Sequence, residues 1–245
     1  MTYCVAIQLN TGLVFASDSR TNAGLDNIRT FSKMHAFVKE GHAMLVLLSA
    51  GNLATSQSVI KQLQKDIKDS KAERSLFSVA DMDEACSYVG EINKRVQKHY
   101  ADEDQQSGFN VESTFILGGQ IGDEKPHLAM IYPQGNYLWA TAETPYFQIG
   151  EFKYGKTILD RVINPGVSLE DAGRAALVSL DSTSRSNLTV GPPYELLIYR
   201  KDSLRIDHRF KYDLDSEYYT RLRTAWSENL RQAFYSLPGF DWENS

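Results

Sequence analysis

The sequence predicts an α+β fold in which largely antiparallel sheets are covered on the outside by helices, and three observations carry that expectation. Strand-like segments arrive in groups joined by short turn signals, the connectivity of hairpins and meanders rather than of parallel crossovers. Between the groups stand segments whose apolar residues recur at helical spacing. No repeat, low-complexity tract or linker divides the 245 residues, so residues 1–245 read as one domain with a helical extension at about 216–245.

Taken in order, Tyr3 to Leu9 alternates and is rich in β-formers, "NTG" at 10–12 is a turn signal, and Leu13 to Ser17 returns as the second strand. "DSRTNAGLDNIRTFSK" is polar and turn-rich and reads as a loop rejoining the sheet around Lys33. "KMHAFV", "KEGH" and "AMLVLLSAG" form a second hairpin whose second strand is fully buried. Val59, Ile60, Leu63 and Ile67 mark a helix from Leu53 to about Ile67. Met82, Cys86, Val89, Ile92 and Val96 mark another from about Val79 to Tyr100. Beyond the polar "ADEDQQSGFNVE" comes a meander, "STFILGGQ", "PHLAMIYPQG" and "NYLWATAE", punctuated by Gly, Pro and Asn. "KYGKTILDRVI" is a short helix and "SLEDAGRAALVSLDS" a longer one, with Ser168 and Asp171 as an acidic variant of the capping box. "YELLIYR" and "LRIDHRFKY" are the last strands, and an amphipathic helix from about Ser216 to Phe234 closes the chain. The expected order is four strands, two helices, three strands, two helices, two strands and a helix.

Composition narrows the function. A net charge of −5 does not favour nucleic acid or an anionic membrane as partner. No apolar run approaches the roughly 20 residues that span a bilayer, and the N-terminus lacks a basic stretch followed by an apolar one, so the chain reads as cytoplasmic. Cys4 and Cys86 read as buried small hydrophobes rather than a disulfide framework. The five histidines, His35, His42, His99, His127 and His208, are scattered singly without metal-ligand spacing, and no metal or other cofactor is expected. There is no G-x-S-x-G elbow, no phosphate loop with a Lys and no H-E-x-x-H; nothing points to a Ser-His-Asp triad.

What remains is the second residue. A strand starting at Tyr3 would hold Thr2 at a fixed place, whereas termini usually fray. Methionine removal favours a small second residue, and an exposed Thr2 would carry a hydroxyl nucleophile and an α-amine base of ordinary pKa about 7.7–8.0 on one residue. A nearby cation would lower the pKa of that amine. Lys33 could supply that charge if Asp18 kept it ionised, and both lie at or near strand ends in neighbouring strands. Singly each has a bland reading: a common second residue, a turn Asp, a solvated Lys at a strand edge. The combination is what points to chemistry.

An N-terminal Thr running directly into a strand, "SDSR" after it, and Lys33 resemble the proteasome-type β-subunits, which are N-terminal nucleophile hydrolases, and in particular their ancestral bacterial branch, Anbu. "TYCVAIQLNTGLVFASDSRTNAG", "FSKMHAF", "LLSAGNLATSQSV", "STFILGGQIG", "QIGEFKYGKTILDR" and "SLDSTSRSNLTVGPPYELLIY" all resemble that branch. The resemblance implies a four-layer α-β-β-α sandwich with two antiparallel sheets. It implies Thr2 as nucleophile with its own amine as base, Lys33 as the tuning cation, Asp18 as its holder, and Gly51 as backbone beside the substrate and for oxyanion stabilisation. It implies peptide or protein substrates, a homo-oligomeric ring or open spiral, and room for an ATP-dependent partner of unknown identity. Departures from the family pattern stand at Glu151, where a Ser is usual, and at Asn187, where an Asp is usual; Gly191 keeps the family Gly, and Asp181 with Ser184 forms a D-x-x-S several residues early. The interval from Asp18 to Lys33 is 15 residues, one shorter than in the wider family. Two alternatives stay open on these residues: a weak or inactive assembly subunit, and a small-molecule amidohydrolase using the same nucleophile. For the aromatic C-terminal segment, an outer helix on its own subunit is weighed against contact with a neighbour through Tyr218, Tyr219, Trp226, Phe234 and Tyr235.

Overall fold

The computed structural model describes residues 2–22, 28–103 and 110–244. Its strands and helices follow in the order β1 (Tyr3–Leu9), β2 (Gly12–Asp18), β3 (Arg20–Asn22), β4 (Ile28–Thr30), β5 (Met34–Lys39), β6 (Ala43–Gly51), α1 (Leu53–Lys68), α2 (Met82–Glu103), β7 (Ser113–Ile121), β8 (His127–Ile131), β9 (Tyr137–Trp139), β10 (Tyr146–Gly150), α3 (Lys153–Val162), α4 (Leu169–Ser186), β11 (Tyr194–Arg200), β12 (His208–Tyr212) and α5 (Glu217–Tyr235). Two five-stranded sheets form, β10-β1-β2-β11-β12 and β5-β6-β7-β8-β9, every pairing antiparallel.

The layers follow from strand parity, because alternate side chains leave opposite faces of a sheet. In β1, Tyr3, Val5, Ile7 and Leu9 pack on Ala172, Ala176 and Leu180 of α4, while Cys4 and Ala6 face the second sheet. In β6, Leu45 and Leu47 pack on Val59, Leu63 and Val89 of α1 and α2, while Met44, Val46 and Leu48 meet Phe15 and Leu197 across the interior. Both central strands are therefore covered on two faces, as their unbroken apolar runs require. Helices, sheet, sheet and helices make the four-layer α-β-β-α sandwich.

Caps begin α1 and α4. The Asn52 side chain accepts from Thr55 N at 3.1 Å. Ser168 Oγ accepts from Asp171 N at 3.1 Å and donates to the Asp171 carboxylate at 2.6 Å, so the acidic residue answers the cap through its hydroxyl.

The structure corrects the element count in two places. Part of the segment expected to be a loop before Lys33 is the β3–β4 ribbon, with Arg20 opposite Thr30 and Asn22 opposite Ile28; residues 23–27 lie outside the described residues. Among the described residues, four strands, not three, separate the helix pairs. The fourth, β10, leaves the meander and pairs with β1 in the other sheet. The first helix runs to Lys68, the second starts at Met82, and the fourth reaches Ser186. Among the described residues, no helix is long and apolar enough to cross a membrane.

Candidate active site

Antiparallel pairing fixes where the site can be. β1 begins where β2 and β10 end: Tyr3 pairs with Gly150, Cys4 with Ser17, and Tyr194 at the head of β11 pairs with Asp18. Thr2, one residue before β1, is therefore delivered to the same end of the sandwich as Asp18 and Gly150.

Two backbone clamps hold the chain there. The Thr2 carbonyl accepts from Glu151 N at 2.7 Å. Gly150 makes this approach possible: at φ +87° it takes a conformation that favours glycine, and a β-carbon on it would collide with the Thr2 carbonyl. On the other side, Tyr3 N donates to Asp18 Oδ1 at 3.0 Å. The Tyr3 side chain is fully buried, its hydroxyl 3.1 Å from Ser179 Oγ and accepting from Gln148 at 2.6 Å, so β1 is anchored one residue beyond Thr2.

Asp18 is 0% exposed and Lys33 is 4% exposed. Lys33 Nζ reaches Asp18 Oδ1 at 2.5 Å, the same oxygen that accepts from Tyr3, and donates also to the Arg20 carbonyl at 2.7 Å. Asp18 Oδ2 accepts from Gly191 N at 3.2 Å. Burial pushes the Asp18 carboxyl above the ordinary aspartate range, opposed by the Lys33 ammonium and the N–H groups of Tyr3 and Gly191. Lys33 precedes β5, and its carbonyl is held by Ser49 N of β6 at 3.0 Å. The second sheet thus presents the ammonium to the first.

Gly191 is as tightly placed. Its carbonyl accepts from Ser19 N at 3.4 Å and Arg20 N at 3.2 Å, and a β-carbon on it would meet the Arg20 guanidinium. Glu151 and Asn187 meet each other, Asn187 Nδ2 donating to Glu151 Oε2 at 3.1 Å. Gly51 stands at the rim. It ends β6 at φ +105°, two residues beyond Ser49, whose carbonyl accepts from Cys4 Sγ at 3.6 Å, and it pairs with Ser113 on β7. Asp181 serves elsewhere: its carboxylate accepts from Tyr219 of α5 at 2.8 Å and from Arg185 at 2.8 Å, docking the C-terminal helix.

Sequence reasoning missed three contributors. Arg20, inside the quoted "SDSR", gives its carbonyl to Lys33 and its guanidinium to the Leu188 carbonyl at 2.8 Å. Tyr3 supplies the N–H on Asp18, and Gly150 the close turn; the signal for Gly150 is a lone glycine closing the strand "FQIG". Among the described residues, no three His, Cys, Asp or Glu converge as a metal site.

An acid, an ammonium and the start of a strand, sharing one buried carboxylate oxygen, can tune a nucleophile carried by the residue before that strand. Comparison with known proteins fits this arrangement. The family described as proteasome subunit matches residues 2–198. The chain is similar to the solved Anbu structure from Yersinia bercovieri, 45% identical over 98% of this chain and 100% of that one, with a TM-score of 0.92. It is similar to the helical assembly of the Anbu complex from Pseudomonas aeruginosa, again at 45% identity and a TM-score of 0.92, over 98% of each chain. Proteasome subunit beta 2 from Pyrobaculum calidifontis is 27% identical over 203 residues, 82% of this chain and 90% of its own.

Proposed function

We propose that this chain, which belongs to the proteasome subunit family and within it to the Anbu branch, is an N-terminal threonine hydrolase of peptide amide bonds. One observation supports this above the others: Asp18 Oδ1 takes both the Lys33 ammonium, at 2.5 Å, and the N–H of the residue that follows Thr2, at 3.0 Å. With Met1 removed, the α-amine of Thr2 takes the proton of its own hydroxyl as Oγ attacks the substrate carbonyl carbon. The resulting tetrahedral oxyanion is met by backbone N–H at Gly51. The amine then returns the proton to the leaving nitrogen, and the C–N bond breaks. An ester on Thr2 remains, and water, activated by the same amine, releases the acid and restores the hydroxyl. Lys33 keeps the amine unprotonated through its charge, Asp18 keeps Lys33 ionised, and Gly191 N–H braces Asp18.

We place the protein in the cytoplasm, where its free, buried Cys4 and Cys86 suit a reducing environment. We propose a homo-oligomer, a ring or open spiral with sites facing a shared cavity. The exposed aromatics at the C-terminal end support this: Phe234 at 67%, Tyr235 at 80% and Trp242 at 70%, while Tyr219 is buried against its own chain. Thr2→Ala tests the nucleophile. Turnover of peptide amides should fall to background with assembly intact, and residual turnover contradicts the assignment.

A further inference from the structure

We propose that Glu151 and Asn187 are a positioning pair for Thr2, their side-chain hydrogen bond locking together the two backbone clamps that hold the nucleophile; this rests on the hydrolase reading above. The first clamp is Glu151 N–H on the Thr2 carbonyl at 2.7 Å. The second is Asp18 Oδ1 on Tyr3 N–H at 3.0 Å, and Asp18 is braced in turn by Gly191 N–H at 3.2 Å. The first clamp comes from the bend after β10, and the brace on the second comes from the turn after α4, segments far apart in sequence. Glu151 Oε2 and Asn187 Nδ2, at 3.1 Å, join those segments.

The orientation of the Asn187 amide is determined by its partners. Its Oδ1 accepts from Thr189 N at 3.0 Å and Thr189 Oγ1 at 2.6 Å, while its carbonyl accepts from Val190 N at 3.1 Å. With the oxygen committed, only Nδ2 is left to face Glu151, whose carboxylate can only accept. The same turn carries Gly191 to Asp18. A closed circuit runs from Thr2 through Glu151, Asn187, Gly191, Asp18 and Tyr3 back to Thr2. Loosening one link lets the nucleophile shift without emptying the substrate pocket, so the effect belongs in kcat rather than KM.

Asn187→Asp removes the donor and sets two carboxylates at hydrogen-bond distance. We expect kcat to fall by about tenfold to a hundredfold with KM little changed, since a displacement of about 1 Å is worth that much. Adding Glu151→Gln to it reverses donor and acceptor, the introduced amide giving its N–H to the new carboxylate, and should recover most of the loss. Where Asn187→Asp does not fold, Glu151→Ala makes the same break and should show the same kcat loss. Wild-type kcat in these variants, or a loss that the reversed pair does not recover, overturns the inference alone. Turnover that persists in a parallel Thr2→Ala sample, or is absent from the wild type, overturns the hydrolase reading and this inference together.

Discussion

Lys33 meets Asp18 at 2.5 Å and Lys156 meets Asp160 at 2.7 Å, yet the two aspartates respond in opposite directions. Asp160 and Lys156 sit one helical turn apart on α3, each half exposed, and Tyr146 joins them. Hydrogen bonds from Lys156 and Tyr146 hold the Asp160 carboxyl below its ordinary range. Asp18 has the closer ammonium and two N–H donors besides, but its burial outweighs them and pushes it up. An ion pair on the surface is a weak contact in high dielectric. The same pair inside the protein is costly to form and harder still to break from one side. The buried pair is therefore a poor stabiliser in a position where stability alone would favour apolar packing, and the hydrolase proposed above gives that position a use.

The largest effect should come from removing one member of the buried pair. Lys33→Ala leaves Asp18 uncompensated and should cost about 3–5 kcal/mol in unfolding free energy, with nearly all turnover lost. Asp18→Asn with Lys33→Met should regain much of that stability in denaturant titration and none of the activity. Recovery of both would reduce the pair to scaffolding. Gly150→Ala comes next. Its positive φ and the collision with the Thr2 carbonyl should disrupt the clamp, lowering turnover and costing more than the roughly 1–2 kcal/mol of a left-handed alanine. Gly122→Ala, at φ +54° with open space around it, should show that cost alone.

The two aspartates should also tilt stability oppositely with pH. The folded pKa of Asp18 lies above its unfolded value, so the stability it contributes grows as pH falls through that raised value. The ionised pair is lost over the same interval, and turnover should fall on an acid limb above about pH 3.9, the ordinary aspartate value. The folded pKa of Asp160 lies below its unfolded value. Its contribution is present at neutral pH and is lost as pH falls through the depressed value. Unfolding curves of Asp18→Asn and Asp160→Asn against pH should differ from wild type with opposite slopes. Lys156→Ala should change least, by less than about 1 kcal/mol and without effect on turnover.

Much of the fold was legible because the strands signal themselves. Hairpin turns at 10–12 and 39–42 gave the strand ends, and with them the neighbourhood of Thr2, Asp18 and Lys33. The β3–β4 ribbon was not legible, since Arg20, Thr21 and Asn22 carry no apolar alternation. Nor was the crossing of β10 from the meander to the edge of the other sheet, which depends on what β1 leaves unpaired. That crossing brings Glu151 to Thr2 and to Asn187, 36 residues away, and no local pattern encodes such a meeting. Asp181 is the converse case. Its D-x-x-S stands several residues early for the family motif, and the residue is turned toward Tyr219 on the helix that follows the last strand.

The most direct test is the mass of the purified protein before and after exposure to a peptide epoxyketone. A Thr2 nucleophile tuned by Lys33 should give a chain that starts at Thr2 and one covalent adduct on its first tryptic peptide, ending at Arg20, with Lys33→Ala unlabelled. A chain that keeps Met1 while hydrolysing peptides, or an adduct formed elsewhere, contradicts that assignment.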